Sequence, residues 1–190
     1  MSDVRRLILL ICATAALAAC GNGGNPAPTT TPTPTYELPS RHVRVFEIPL
    51  KPTPVKVGML EATPVALRTG MEEIVGTHAE YQAKNGQFIR VRIQVRNTDR
   101  DVQDFLVPEQ TLITTDGLSY KPNIDAMSIK RQIMKVTLGA EQVLEMDLLY
   151  DVPTAAKPKT MRFVAKQTTL VGGIQTGVGQ ADVPLPPTSR

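Results

Sequence analysis

Histidines 42 and 78, an acidic trio, a comb of arginines and a glycine-rich run are the places where residue type and spacing invite chemistry. His42 and His78 lie 36 positions apart, and neither has a second ligand at a metal spacing. No cysteine follows position 20, so a zinc site would need carboxylates gathered from distant parts of the chain. Solvent-exposed or packing histidines are the plainer reading. A Ser-His-Asp order exists, but no Gly-x-Ser-x-Gly elbow does. Asp99, Asp101 and Asp104 supply oxygens of the kind calcium takes. Their order is not that of an EF-hand loop, and Arg100 adds an opposing charge, so a solvated loop is preferred. Arg90, Arg92 and Arg96 share one face of an alternating segment. They would suit an anion or anionic polymer. The preferred reading is a solvated sheet face, paired with Glu145, Asp147 and Asp151 across strands. Gly172 to Gly179 has neither the Walker spacing nor a dinucleotide fingerprint and is read as a flexible turn. Met59, Met71, Met127, Met134, Met146 and Met161 show no copper-binding cluster and fit core filling. No catalytic residue, metal ligand or cofactor-binding residue is assigned, and no cofactor is expected.

The cysteines are more specific. Cys12 and Cys20 are the only two, so residues after 20 form no disulfide among themselves. Arg5 and Arg6 precede an apolar run from Leu7 to Ala16, and small residues follow. This is the layout of a signal peptide, and the run is too short for a stable membrane span. Leu17-Ala18-Ala19-Cys20 resembles the bacterial lipobox at all four positions. That resemblance implies diacylglycerol on the Cys20 sulfur, cleavage before it and a lipidated new N-terminus. The alternative is an ordinary signal peptide with a chance cysteine. Two acyl chains at roughly 0.8 kcal/mol per buried CH₂ anchor stably where one does not. Gly21 is not the aspartate that resembles an inner-membrane retention signal.

Three zones follow from this: a leader over 1–19, a lipidated cysteine with a Gly/Pro/Thr linker over 20–39, and a domain over 40–190 with its core at about 55–171. The linker has no apolar period. Its alternating Pro and Thr favour extended polyproline II, reaching about 3.1 Å per residue. It is read as a bare tether, with O-linked sugar on its threonines as the alternative. The chain carries a net charge of +3, and a chain starting at Cys20 would keep 19 basic and 17 acidic residues. Nothing there forms the basic stripe that nucleic acid requires.

The elements that must position these residues are strands. Phe88 to Arg96 sets Ile89, Val91, Ile93 and Val95 against Arg90, Arg92, Gln94 and Arg96. Gln142 to Val152 sets Leu144, Met146, Leu148, Tyr150 and Val152 against Val143, Glu145, Asp147, Leu149 and Asp151. A period of two sorts both sets cleanly, and a helix would scatter them. Asn85-Gly86 and Asp116-Gly117 suit tight hairpins. Val65 to Thr69, Phe105 to Val107, Met161 to Ala165 and, more weakly, Thr168 to Val171 are further strands. Val43 to Phe46 and Val55 to Val57, broken by prolines, read as an edge or lead-in. Ala126 to Lys135 allows one or two helical turns. Some eight strands with turns between them predict an all-β antiparallel sandwich.

A strand ending at Asn97, then Asp116-Gly117-Leu118-Ser119-Tyr120, then Leu138-Gly139-Ala140-Glu141, then Tyr150-Asp151-Val152-Pro153 come in a telling order. That order resembles the immunoglobulin-like (telokin-like) domain of bacterial surface lipoproteins, a group that includes the mycobacterial immunoprotective extracellular antigen. The resemblance covers roughly Val55 to Ala165. It departs at Leu138, where the family usually has Pro before Gly, and in the Pro-rich stretch ahead of the domain. It implies a β-sandwich exposed at the cell surface, and no activity.

The reading is a non-catalytic binding or structural module, monomeric and extracytoplasmic. Its N-terminal lipid holds it to a membrane, and another envelope protein is its expected partner. The alternative is a carrier of a small apolar or lipid ligand, which needs an interior cavity of at least about 300 Å³ lined by residues such as Leu144 and Ile93. A hydrolase would need His42 or His78 within reach of a Ser or Asp.

Overall fold

Strands whose two faces differ in polarity pair so that their apolar faces meet. The computed structural model describes residues 42–168 and 175–186. Cys20, the leader and the linker lie outside the described residues. In chain order the strands are β1 (Ile48–Pro49), β2 (Val55–Val57), β3 (Leu60–Met71), β4 (Glu73–Val75), β5 (Glu80–Gln82), β6 (Gly86–Asn97) and β7 (Gln103–Leu106). Then come β8 (Thr111–Thr114), β9 (Ser119–Tyr120), the helix α1 (Ile124–Ile129), β10 (Lys135–Leu138), β11 (Val143–Pro153), β12 (Pro158–Thr168) and β13 (Gln175–Pro184).

One antiparallel sheet has the order β1-β3-β6-β11, with β2 also on β3. A second has the order β13-β12-β8-β9, and β7 pairs with β10. The fold is an antiparallel β-sandwich. Ile89, Val91, Ile93 and Val95 of β6 and Met146, Leu148, Tyr150 and Val152 of β11 enter one core, with Phe105, Leu112, Met161, Phe163 and Val183. The Phe105 and Phe163 rings stack with centroids 5.9 Å apart. Of the methionines, 71, 127, 146 and 161 are buried in that core.

The strand alternation of β6 and β11 is as the sequence predicts, and the two strands pair along their whole length. The Asp116-Gly117 hairpin joins β8 to β9, with Gly117 at a φ of 85°. The helix is one short stretch, capped by Asn123, whose side chain accepts from the Ala126 amide at 2.9 Å. Three expectations need correction. Asn85-Gly86 forms no hairpin between paired neighbours; it is a bend clasped by Asp151. The hairpin before it joins β4 to β5. The described part of the glycine-rich run, 175–179, opens strand β13 and is not a turn, while 172–174 lie outside the described residues, as do 169–171 of the weak strand. Val43 to Phe46 forms no strand but turns, and only Ile48 and Pro49 pair with β3.

Candidate functional site

The two long strands bring Arg90, Arg92 and Asp147 to the side of the sheet that faces away from the core, with Arg92 directly opposite Asp147. The expected cross-strand pairing is present for Arg92 with Glu145, at 3.2 Å, and for Arg90 with Asp147, at 3.9 Å, but the face is not solvated. The side chains of Arg90 and Arg92 are 11% and 4% exposed. What covers them is the segment 42–50, here called the strap.

The strap's geometry is local in origin. Glu47 N donates to Arg44 O at 3.1 Å and closes a turn. Arg44 N donates to Glu47 Oε2 at 2.8 Å, which folds the carboxylate back under the turn. Phe46 completes the turn at a φ of 65°, a conformation that costs a non-glycine residue about 1–3 kcal/mol. Glu47 therefore points at the sheet, with its side chain 1% exposed. Arg90 Nη2 donates to Glu47 Oε1 at 2.7 Å, and Arg92 Nη2 donates to Glu47 Oε2. Arg92 also donates to His42 O at 2.8 Å and to Glu145 at 3.2 Å. Arg44 reaches Asp147 at 2.7 Å. Arg68 sits opposite Arg90 in the β3–β6 ladder and lies over the Phe46 ring, 5.4 Å from its centre.

Burial, with the neighbouring Arg44 and Arg68 charges, draws the Arg90 guanidinium below its ordinary value, while Asp147 and Glu47 oppose that pull. The pairing is incomplete. Arg90 Nε, Arg92 Nε and Asp147 Oδ1 are buried without a hydrogen-bond partner among the described residues. Arg90 also lines an open polar cavity of about 550 Å³, with Arg68, Gly70, Glu72, Glu73 and Lys130.

The other candidates are apart from this cluster. Arg96 pairs with Glu141 in solvent. Asp151 joins no arginine; it accepts from the Lys84 and Asn85 amides, each at 3.0 Å. Asp99 accepts from Gln103, and Asp104 pairs with Lys135 at 2.7 Å and Thr137 at 2.7 Å. Burial pushes the Asp104 carboxyl up, but hydrogen bonds from Lys135 and Thr137 outweigh it and hold it below the ordinary carboxylate range. Among the described residues no three His, Cys, Asp or Glu side chains converge on a metal position. His42 and His78 are both exposed, and neither is bonded to a Ser or Asp among the described residues. Ile93 is wholly buried, and none of the cavities of about 550, 340 and 320 Å³ is lined by Ile93 or Leu144.

Three buried amides were not foreseen. At one end of β6, Gln87 donates to the carbonyls of Pro153, Thr154 and Ala156 and accepts from Gly70 N. At the other end, Asn97 donates to the carbonyls of Asp101, Leu138 and Gly139. Gln110 bonds both the N–H and the C=O of Val164, each at 3.0 Å, standing in for a strand neighbour of β12. Asn97, which holds the Leu138-Gly139 turn, and Asp151, which holds the bend at 84–85, are thus loop fasteners.

No curated protein matches the chain. Among solved structures it is similar to a conserved hypothetical protein from Bacillus anthracis, with 17% identity over 60% of this chain and 88% of that one and a TM-score of 0.47. A candidate lipoprotein of Bacillus subtilis, ycdA, shares 12% identity over 71% of this chain and 39% of its own, with a TM-score of 0.46. The secreted protein MPT63 of Mycobacterium tuberculosis shares 13% over 63% and 91%, with a TM-score of 0.36. Residues 53–172 match the model of a domain of unknown function, DUF4352. The match takes in β2 through β12 and every loop fastener, begins after the strap, and spans well over half of the sequence. The chain belongs to the DUF4352 family.

Proposed function

We propose that this protein is an extracytoplasmic lipoprotein, held to a bacterial membrane by lipid on Cys20, whose β-sandwich serves as a non-catalytic binding or structural module of the envelope. The observation that carries the address is Leu17-Ala18-Ala19-Cys20 behind a basic start and an apolar run. The proline- and threonine-rich linker that follows suits a tether. The module reading is supported by where the polar residues go. Gln87, Asn97, Gln110 and Asp151 hold backbone, and Glu47 holds arginines. The interior is packed with aliphatic side chains at Ile93, Val91 and Leu148, where a carrier would need space.

The test is Cys20→Ser in the native cell, followed by fractionation. The product should be unprocessed or freely soluble. A Cys20→Ser product that matured normally and stayed with the envelope would remove the basis of the proposal.

A further inference from the structure

We propose that residues 42–50 are a displaceable strap, and that the sheet face beneath it, Arg90 and Arg92 beside the edge of β3, is a docking site for a partner-protein segment that brings a carboxylate to the two arginines. The inference deepens the binding-module reading and names its contact surface.

The strap is held by few interactions. Its strand is two residues long, Ile48 and Pro49 against Leu67 and Ala66. One more backbone bond follows, Leu50 N to Val65 O at 3.0 Å. Its apolar residues bury little: Val45 is 75% and Phe46 79% exposed, and only Leu50 enters the core. Phe46 is held in a backbone conformation that L side chains rarely adopt. What remains is the carboxylate of Glu47 on two arginines, Arg44 on Asp147, the Arg92 hydrogen bond to His42 O and Arg68 over the Phe46 ring. That charge network leaves two guanidinium Nε atoms and one carboxylate oxygen without partners, so it is a poor competitor for a better-fitting occupant. Elements with little apolar burial open locally well below the cost of global unfolding. The segment Lys51-Pro52-Thr53-Pro54 that joins the strap to β2 is exposed throughout and can serve as its hinge.

The surface beneath is built for a specific chemistry. Two buried arginines present paired N–H groups to a carboxylate, the strongest kind of side-chain hydrogen bond. Next to them the strap holds the edge of β3 at Val65 to Leu67, and its displacement would free that short edge for an incoming extended stretch. The strap shows the complementary pattern: a basic residue on Asp147 and, three positions later, a carboxylate on Arg90 and Arg92. Arg90 is reached from the open polar cavity even with the strap in place. The strap also lies ahead of the residues that match the family, whereas both arginines lie within them.

The experiment uses the full mature chain and two probes, a labelled ten-residue peptide with the sequence of residues 42–51 and the same peptide with Gln in place of its glutamate. Hydrogen exchange comes first. The strap amides of residues 44–48 and 50 should exchange at least about 100-fold faster than those of Ile89–Val95 in β6. Equal protection of the two sets would overturn the proposal. Peptide binding comes second, by fluorescence anisotropy. Arg44→Ala loosens the strap and leaves Arg90 and Arg92 intact, so this variant should bind the peptide at least about tenfold more tightly than the natural chain. A peptide with Gln in place of the glutamate should bind at least about tenfold more weakly. Equal binding of both peptides, or no gain with Arg44→Ala, would refute the site. If Arg44→Ala dimerised by itself, the occupant would be a second copy's strap, and the assignment to a partner protein would fail. None of these results bears on Cys20, so the anchor and the docking site fail separately.

Discussion

Removing the Glu47 carboxylate would leave Arg92 with only Glu145, at 3.2 Å, and Arg90 with only Asp147, at 3.9 Å, as counter-charges under the strap. Breaking a buried ion pair from one side costs about 3–5 kcal/mol, so Glu47→Gln should lower the unfolding free energy by about 3 kcal/mol in urea titration. Arg96→Ala removes a pair whose two side chains are about half exposed and should change stability by less than about 1 kcal/mol. The contrast separates the arginines, which the sequence presents as one comb. Only their alternation with Ile89, Val91, Ile93 and Val95 is local information. Which of them is covered depends on Glu47, some 43 to 45 positions away. One local sign was available: Leu149 lies on the same outward face and is apolar, as expected of a covered surface. Acid acts at other residues. Asp104 is held low because Lys135 and Thr137 outweigh its burial, and Asp182 because Arg162 bonds it. A depressed folded-state value means the unfolded chain binds the proton more tightly. The stability these groups supply is therefore present above about pH 4 and lost as pH falls through the depressed values. Both are partly exposed pairs, so each contributes less than about 1 kcal/mol. The urea midpoint should be lower at pH 3 than at pH 7, and part of that difference should vanish in Asp104→Asn.

Elements are held together by side chains that imitate backbone. Gln110 supplies the donor and the acceptor that β12 lacks opposite Val164, and its own Nε2 also reaches Leu106 O. Gln110→Leu should cost about 1–3 kcal/mol, because Val164 N–H is left buried and unpaired, and equilibrium unfolding would show it. Gly86 is similarly constrained. Its φ is 132°, and a Cβ there would meet Thr154 Oγ1 at 2.4 Å and Thr154 N at 2.8 Å. Gly86→Ala should destabilise by at least about 1 kcal/mol in the same assay. Long strands with one apolar face, β6 and β11, were legible because their pattern is their function in the core. Strand β13 was not. Gln175-Thr-Gly-Val-Gly-Gln-Ala-Asp-Val-Pro carries almost no apolar alternation, and its glycines read as breakers. Gly179 is there for closeness: a Cβ would lie 2.5 Å from Val57 Cγ1. The short hairpin of β4 and β5 escaped notice for a related reason, since three-residue strands are too brief to show a period.

For the molecule as a whole, the described residues form a sandwich with an aliphatic core, and the proposed address rests on the sequence ahead of them. The fold was legible because polarity alternates along the strands that pair. The loop fasteners were legible only as an ordered set of short motifs, without their physical roles. The surface under the strap was legible only in its arginines and their cross-strand carboxylates, since the cover is made by residues that meet only in three dimensions. The account's central claim is chemical and sits at Cys20: its sulfur carries the lipid that fixes the sandwich to a membrane. Intact-mass measurement of the protein extracted from native envelopes tests it most directly. The account predicts a chain starting at Cys20 whose mass exceeds that of residues 20–190 by the diacylglycerol thioether, with any further acyl chain on the new amino group. A chain starting at any other residue, or one starting at Cys20 with an unmodified thiol, would contradict it.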